Sequence, residues 1–471
     1  MAQSLRRKRI NFMGNTTAKP KNIIDMTEGA IARKLLSFAV PMIGGLLFQQ
    51  MYTAADTIIV GKFVSKAALA AVGSTTPLVN TFISLSAGIG AGASVVNAQN
   101  FGAHDDEGLS RSANTTIVLS VLIGILITGL GLLFAGPMLH LMNVSEDVFN
   151  EARAYLNIYF AGALGLSVYN MGSGILRAVG DSRRPLYFLI FSASLNVVLD
   201  LLFVVVFHQG IVGAAYATIL TQFLSAILVL WVLFRSKEAY GVRWNKLRLT
   251  GSMVKRIVQN GIPTGLQQGL TAFSNVFVIS YIAAFGDDCL AGYSAYVKLD
   301  GFLMVPCQAM AIAVTTYVGQ NYGAGKYERA HKGVKCGLAI ISALTVIMSI
   351  AISLLSDYAI LLFANKEDTQ VVYYGSLFIR YISLFFVTQS ILQTLSGALR
   401  GINKARIPMI VMLASFVVFR QIYLAVATPL GIGVLLTAFS YPFGWVLATI
   451  LMTVCYFRQF ALIRAKENSH E

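Results

Sequence analysis

The chain has 471 residues, of which 56% are hydrophobic and only 12% are charged. Soluble globular proteins carry about 25% charged residues, so this composition excludes an ordinary soluble protein and indicates a polytopic membrane protein. The apolar runs are long and do not alternate at period two, which favours membrane-spanning helices over a β-barrel.

The chain opens with a basic, polar arm that lacks the apolar core of a signal peptide, so we expect this arm to stay in the cytoplasm. A helix needs about 20 mostly apolar residues to cross a bilayer, and twelve runs meet that need. We predict spans near 34–60, 67–100, 112–136, 148–178, 185–207, 211–235, 257–285, 290–320, 334–356, 369–399, 407–428 and 432–457.

These spans divide the chain into five parts. We predict a cytoplasmic arm (1–33), a first six-helix bundle (34–235), a cytoplasmic linker (236–256), a second six-helix bundle (257–457) and a cytoplasmic tail (458–471).

The basic residues test this topology. With the N-terminus inside, 29 of the 36 Lys and Arg residues fall on cytoplasmic segments and 4 on outside loops. Such an imbalance is the positive-inside signal of a helical membrane protein. It explains the net charge of +15 without a nucleic-acid partner. We therefore predict a multi-pass protein of the cell membrane with both termini in the cytoplasm.

The chain also repeats itself. QNFGA at 99–103 returns as QNYGA at 320–324, and GILRAVGDSRRP at 174–185 returns as GALRGINKARIP at 397–408. Pro41 and Pro263 are separated by nearly the same interval. Two halves of six spans each run the same way across the membrane. The sequence therefore predicts an all-α membrane protein of two six-helix bundles related by a pseudo-two-fold axis, as in rocking transporters.

Polar residues inside the spans of the first half carry the functional hypothesis. Asn196 and Asp200 of LNVVLD lie four residues apart and share one helix face. An ionised carboxylate in a span costs about 2.5–3.5 kcal/mol. Carboxylate, amide and hydroxyl oxygens are the hard ligands that a sodium ion uses, and a carboxylate also carries protons. The candidate Na⁺ or H⁺ site comprises Asp56, Asn170, Asn196, Asp200 and Thr218.

The repeat supplies a control for this site. Asn196 and Asp200 correspond to Phe419 and Tyr423 in the second half, so the fold does not need these polar groups. The alternative is that they are interhelical hydrogen-bonding residues with no ion.

The second half has its own polar residues inside predicted spans. As candidates for lining a substrate cavity we take Lys298, Asp300, Arg380, Gln389 and Gln393. The alternative for the charged members is a buried structural ion pair, such as Asp300 with Arg380.

Signatures of other functions are weak. The four cysteines and five histidines show no metal-ligand spacing, so a membrane-embedded metalloenzyme is disfavoured. The glycine-rich GIGAGAS at 88–94 lacks the Gly-Lys-Ser/Thr of a phosphate loop and indicates close helix packing. We expect no enzyme activity and no cofactor beyond a coupling ion.

Taken together, these motifs resemble the multidrug and toxic compound extrusion (MATE) family along nearly the whole chain. The resemblance rests on ADTIIVG, the two QN(F/Y)GA motifs, LRAVGDSRRP with LRGINKARIP, and NVVLD. It implies a V-shaped pair of bundles, alternating access driven by an ion gradient, and a cation or proton site at the five first-half residues. Some members carry an acid in the tenth span, where this chain has Gln389.

We therefore predict a secondary active exporter that acts as a monomer among membrane lipids. It would antiport amphipathic, cationic organic compounds against Na⁺ or H⁺. The alternative is a flippase of a lipid-linked substrate. That function calls for a strongly cationic cavity, and away from their ends the spans hold only Lys298, Arg380 and Arg420 as basic residues.

Overall fold

A computed structural model describes residues 23–468, apart from 65, 142–143, 145, 365 and 432. Twelve main helical segments, α1 to α12, follow one another in the described part beside short helices such as Ser356–Ile360 and Val434–Ala438, and four of the twelve are divided into two pieces. They are Ile31–Phe63 (α1), Lys66–Gly102 (α2), Asp106–Leu141 (α3), Glu146–Ala161 with Ala163–Ala178 (α4), Arg183–Asp200 (α5), Gly210–Arg235 (α6), Gly251–Ala283 (α7), Asp287–Leu303 with Val305–Gly323 (α8), Tyr327–Leu354 (α9), Thr369–Ile382 with Phe386–Gly401 (α10), Arg406–Met412 with Arg420–Ala427 (α11) and Ser440–Asn468 (α12).

This order confirms the all-helical, twelve-span prediction. Among the described residues, ten helices are long and apolar enough to cross a bilayer on length and composition alone. The other two are α4 and α7, and both contribute side chains to the space between the halves.

Two predicted boundaries lie inside helices. Helix α7 begins at Gly251, within the predicted linker 236–256, and α12 runs on to Asn468 through the predicted tail 458–471. Hydropathy marks where a helix meets hydrocarbon, whereas the polar end turns are held by contacts with protein. Arg464 of α12, for example, pairs with Glu328 of α9 at 3.3 Å. Most of the predicted arm 1–33 lies outside the described residues.

The fifth helix of each half contains a stretch of π-helix. Helix α5 continues past Asp200 as a π-helix over Leu201–Val206, and the two pieces of α11 are joined by a π-helix over Leu413–Phe419. Such wide turns are rare and occur frequently at functional sites. The acidic residue of α5 therefore lies where the helix changes its winding.

The two halves touch along α2 and α7 through glycine. A Cβ on Gly88 would overlap the backbone of Gly265, and a Cβ on Gly92 would overlap the backbone at Ile257 and Gly261. Bare backbone surfaces allow this close approach. The packing interpretation of GIGAGAS at 88–94 fits this contact.

A second contact joins the halves at one end of the molecule, which we call the basic face. It carries the loops 103–105, 179–182, 324–326 and 402–405. Gln99 of α2 donates from Nε2 to the carbonyl of Gly401 in α10 at 2.8 Å. Gln320 of α8 donates in the same way to Ala178 of α4, also at 2.8 Å. We call this symmetric pair of bonds the glutamine latch.

The backbone is tightly packed at the latch. A Cβ on Gly102 would overlap the carbonyl of Gln320, and a Cβ on Gly323 would overlap that of Gln99. Both glutamines and both glycines come from the repeated QN(F/Y)GA motif. The motif therefore brings the ends of α2 and α8 together.

Each latch glutamine also accepts hydrogen bonds, from different partners in the two halves. Gln99 Oε1 accepts from Asn403 Nδ2 at 2.8 Å and from Arg256 Nη2 at 2.9 Å. Gln320 Oε1 accepts from the backbone N–H of Met26 at 2.8 Å. The segment before α1 is thus built into the closed end of the molecule.

Candidate ion site and central cavity

A cavity of about 740 Å³ lies between the two halves and is lined by α1, α2, α4 to α8, α10 and α11. Most of its polar lining consists of amides and hydroxyls, such as Gln49, Gln267 and Thr316. Among the described residues, its charged lining side chains are Arg177 and Arg400. The cavity therefore combines apolar surface with neutral polar groups, carries positive charge and has no carboxylate in its described lining.

The Asn196 and Asp200 pair predicted from the sequence lies on the first-half side of this cavity. Asn196 and Asp200 are 2% and 0% exposed on α5. Both side-chain atoms of Asn196 and both carboxyl oxygens of Asp200 lack a hydrogen-bond partner among the described residues. Leaving a buried polar atom unpaired costs about 1–3 kcal/mol, so this cluster needs an explanation other than packing.

Asp56 of α1 completes this acidic site. Its Oδ1 is buried without a hydrogen-bond partner among the described residues, and its carboxyl group lies within electrostatic range of Asp200. Tyr52 and Tyr155 lie near the same two carboxyl groups. Two carboxylates and an amide with unused oxygens are a fitting ligand set for a hard cation, and one shared proton would relieve their mutual repulsion.

The other two first-half candidates, Asn170 and Thr218, line the cavity as Asn196 does. The Thr218 hydroxyl donates to the carbonyl of Ala214 at 3.1 Å, so its oxygen lone pairs remain available. The structure thus places Asp56 and Asp200 together behind the lining, and the three uncharged candidates in the lining itself.

The second-half candidates divide differently. Gln389 and Gln393 line the cavity. Lys298 is exposed on α8, and Arg380 pairs with Asp357 at 3.0 Å on the surface, with 46% of its side chain exposed. Neither of these two basic residues lines the cavity, so their predicted placement there is wrong. Each finds solvent or a surface partner instead.

Asp300 also lies outside the described lining, and the ion pair with Arg380 that was the structural alternative does not form, because Arg380 pairs with Asp357. It stands near Tyr293 and Tyr441, whose hydroxyls are 2.6 Å apart. Arg420 lies over the Tyr441 ring at 4.9 Å and donates to Ser274 at 2.8 Å. These residues form a second buried polar cluster within the second half.

Two arginines were missed by the sequence reasoning. Arg177 and Arg400 lie in the last turns of α4 and α10 and reach the cavity, whereas the count of basic residues assigns both to cytoplasmic segments. The signal was the repeated Leu-Arg in GILR and GALR. An arginine that recurs inside both repeats, at the end of an apolar run, belongs to the helix as readily as to the loop.

Two helical bundles around a central cavity, closed at one end and carrying buried acids, define a multi-pass membrane transporter. The chain belongs to the MATE family: it matches the MatE family over residues 41–202 and 263–426. The family resemblance drawn from the motifs is confirmed, and with it the two-bundle fold.

Individual relatives agree. The chain is 28% identical over 406 residues to the probable multidrug resistance protein YpnP of Bacillus subtilis, covering 85% of this chain and 89% of that protein. Its fold resembles that of a MATE protein crystallised with MaL6 (TM-score 0.90, 24% identity, 95% and 100% coverage). A MATE transporter of the MOP superfamily in an outward-facing conformation is also similar (TM-score 0.89, 24% identity, 94% and 99% coverage). The chain is thus a transporter of the MATE family.

Proposed function

We propose that this transporter exports amphipathic organic compounds by antiport against Na⁺ or H⁺, with alternating access of the central cavity. The observation that carries the proposal is the pair Asp56 and Asp200, in which Asp200 is fully buried with no hydrogen-bond partner among the described residues. The repeat shows that the second half folds without an acid at the position of Asp200.

A buried carboxylate of this kind supports a charge cycle. Ionised Asp200 costs about 2.5–3.5 kcal/mol in a span, and a bound cation or proton removes that cost. The ion therefore favours the conformation that keeps the pair buried, and its release favours the other. A ligand shifts such an equilibrium only by its difference in affinity between the two states.

The glutamine latch supports the alternating-access part of the proposal. It closes the basic face, which the distribution of Lys and Arg puts on the cytoplasmic side of a cell membrane, with both termini inside. With the basic face closed, the cavity would be open toward the outside of the cell. Breaking the two hydrogen bonds of the latch would open it to the cytoplasm. The transporting unit in this proposal is a monomer, whose two halves enclose the cavity between them.

The family supports a small-molecule exporter and does not favour the lipid-linked flippase. The cationic substrates predicted from the sequence fit the structure less well, because the described lining holds two arginines and no carboxylate.

The test is uptake of a fluorescent organic dye into proteoliposomes. Transporter molecules that are inserted inside-out would carry the dye into the vesicle lumen. Uptake is measured with a sodium gradient alone, with a pH gradient alone and after an ionophore collapses each. Antiport predicts uptake that follows one of the two gradients and stops when that gradient is collapsed. Uptake that is indifferent to both gradients would show a facilitator and contradict the proposal.

A further inference from the structure

Arg177 and Arg400 occupy equivalent places in the two repeats. Each is partly buried, each lies in the last turn of its helix, and both side chains line the same cavity. Two guanidinium groups thus enter one space from opposite halves of the molecule.

Neither arginine has an anionic partner among the described residues. Arg177 Nη2 approaches the carbonyl of Asn170 at 3.5 Å, and Arg400 Nη1 donates to Ser396 Oγ at 3.0 Å. The ion pairs of the described part involve other residues. A guanidinium carries five N–H donors, so most donors of both groups remain unused.

A structural role is the first alternative, because residues shared by both repeats often serve packing. A cation in the last turn of a helix is also favoured by the helix dipole. An arginine with a structural role in this protein, however, directs its guanidinium group to several backbone carbonyls. Arg329 directs its guanidinium to the carbonyls of Met26 and Gly29, the shortest bond being 2.7 Å. Arg177 and Arg400 line open space instead.

The neighbouring lining suits an aromatic molecule with a charged group. Tyr159, Tyr169 and Phe416 contribute ring surface, and amides such as Gln267 contribute neutral donors and acceptors. A cation in this space would meet two guanidinium groups. A carboxylate, phosphate or sulfonate would form charge-assisted hydrogen bonds with them.

We propose that the central cavity selects aromatic organic compounds that carry an anionic group, and that Arg177 and Arg400 recognise this group. The inference rests on the proposed function in that the bound compound is the exported substrate. It replaces the cationic substrate class predicted from the sequence.

Two xanthene dyes of opposite charge test this selectivity. Fluorescein is anionic at pH 7.5 and rhodamine 6G is cationic, while their ring systems match. Binding to the purified full-length protein in detergent is followed by fluorescence anisotropy. We expect the wild-type protein to bind fluorescein at least about tenfold more tightly, since a hydrogen bond to a charged group commonly accounts for such a factor.

Substitutions at the two arginines test whether they cause the preference for the anionic dye. Arg177→Gln and Arg400→Gln should each weaken fluorescein binding about tenfold and leave rhodamine 6G binding unchanged or tighter. The Lys substitutions keep the charge and should retain most of the fluorescein affinity. Arg464→Gln, at an exposed surface pair, is the matched control and should change neither dye.

Three results would overturn the inference. They are tighter binding of rhodamine 6G by the wild-type protein, equal weakening of both dyes in the Gln variants, and equal weakening of both in the Arg464 control. If the Gln variants do not fold, the wild-type preference and the Lys variants still decide. Fluorescein binding that needs both arginines, found without ion-driven transport, would sink the export proposal and leave this one standing. Ion-driven transport of rhodamine 6G but not of fluorescein would support the export proposal and overturn the inference of anion selectivity.

Discussion

Replacing Asp200 by Asn should make stability and transport move in opposite directions. The side chain is 0% exposed and both of its oxygens lack hydrogen-bond partners in the described part of the chain. Asn has nearly the same shape and no charge. Because an ionised carboxylate in a span costs about 2.5–3.5 kcal/mol, we expect the free energy of unfolding to stay equal or to rise by up to about 2.5 kcal/mol. Ion-driven transport should be lost, since the charge can no longer cycle.

The repeat provides a control with the opposite signature. Tyr423, the counterpart of Asp200, donates its hydroxyl to the carbonyl of Leu436 at 2.9 Å. Tyr423→Phe removes that hydrogen bond and should destabilise the protein by about 1 kcal/mol while transport stays within about twofold of wild type.

Both quantities are measured on the same preparations. Thermal unfolding in detergent is followed by tryptophan fluorescence, and transport is followed in proteoliposomes under an imposed gradient. If Asp200→Asn is less stable than wild type by more than about 1 kcal/mol and still transports, the carboxylate is structural and the reasoning fails.

Three further predictions address the latch and the topology. Gln99→Ala removes one donated and two accepted hydrogen bonds, so we expect the basic face to open more often. Spin-label distances across that face measure the opening, and unchanged distances would show that the latch does not hold the halves together. Gly102→Ala places a methyl against the carbonyl of Gln320. An overpacking cost of about 1–3 kcal/mol should shift the equilibrium between the closed and open basic face about 5- to 150-fold toward the open state. Gly129→Ala, where a Cβ meets nothing, is its control. In a cysteine-free background, an impermeant thiol reagent should label exposed Asp287→Cys but not exposed Lys332→Cys in intact cells, and the reverse pattern would invert the orientation.

The native cysteines do not serve for that labelling test. The sequence places Cys289 after GDD in an outside loop, where a reagent would reach it. The structure starts α8 at Asp287 and buries the Cys289 side chain completely. A loop assigned by hydropathy can already be the first turn of a helix, and the first turn has a buried side.

The acidic site was predictable because helical periodicity is local. Asn196 and Asp200 share a face by spacing alone, and the structure buries that face. The locations of single charged side chains, in the cavity or on the surface, were not predictable, because they depend on partners elsewhere in the fold. Arg380 finds Asp357 just beyond the ninth predicted span, so it never needs the cavity. Arg177 and Arg400 lie in the last turns of α4 and α10 and line the cavity, although the count of basic residues assigns both to cytoplasmic segments.

The same logic explains why α7 was predicted to start too late. Its first turns are polar, yet Arg256 has a partner in Gln99 of the other half. Hydropathy records affinity for lipid, and this segment is held by protein. Partners that lie more than 150 residues away along the chain leave no local trace in composition or periodicity.

The two bonds of the glutamine latch are copies of one contact. In each, the glutamine of one half meets the carbonyl that follows the Leu-Arg motif of the other half. A six-helix protein with one copy of each motif would form both bonds by pairing with a second molecule in parallel, which is an isologous interface. The chain thus has the organisation of a duplicated gene whose ancestor worked as a homodimer. The segment 236–250 packs on the first half, where Tyr240 and Val242 are buried and the Arg243 N–H donates to Asn114 Oδ1 at 3.1 Å. With a homodimeric ancestor, the segment joins the halves without being needed to pair them, and a chain cut there and co-expressed as two halves should still assemble.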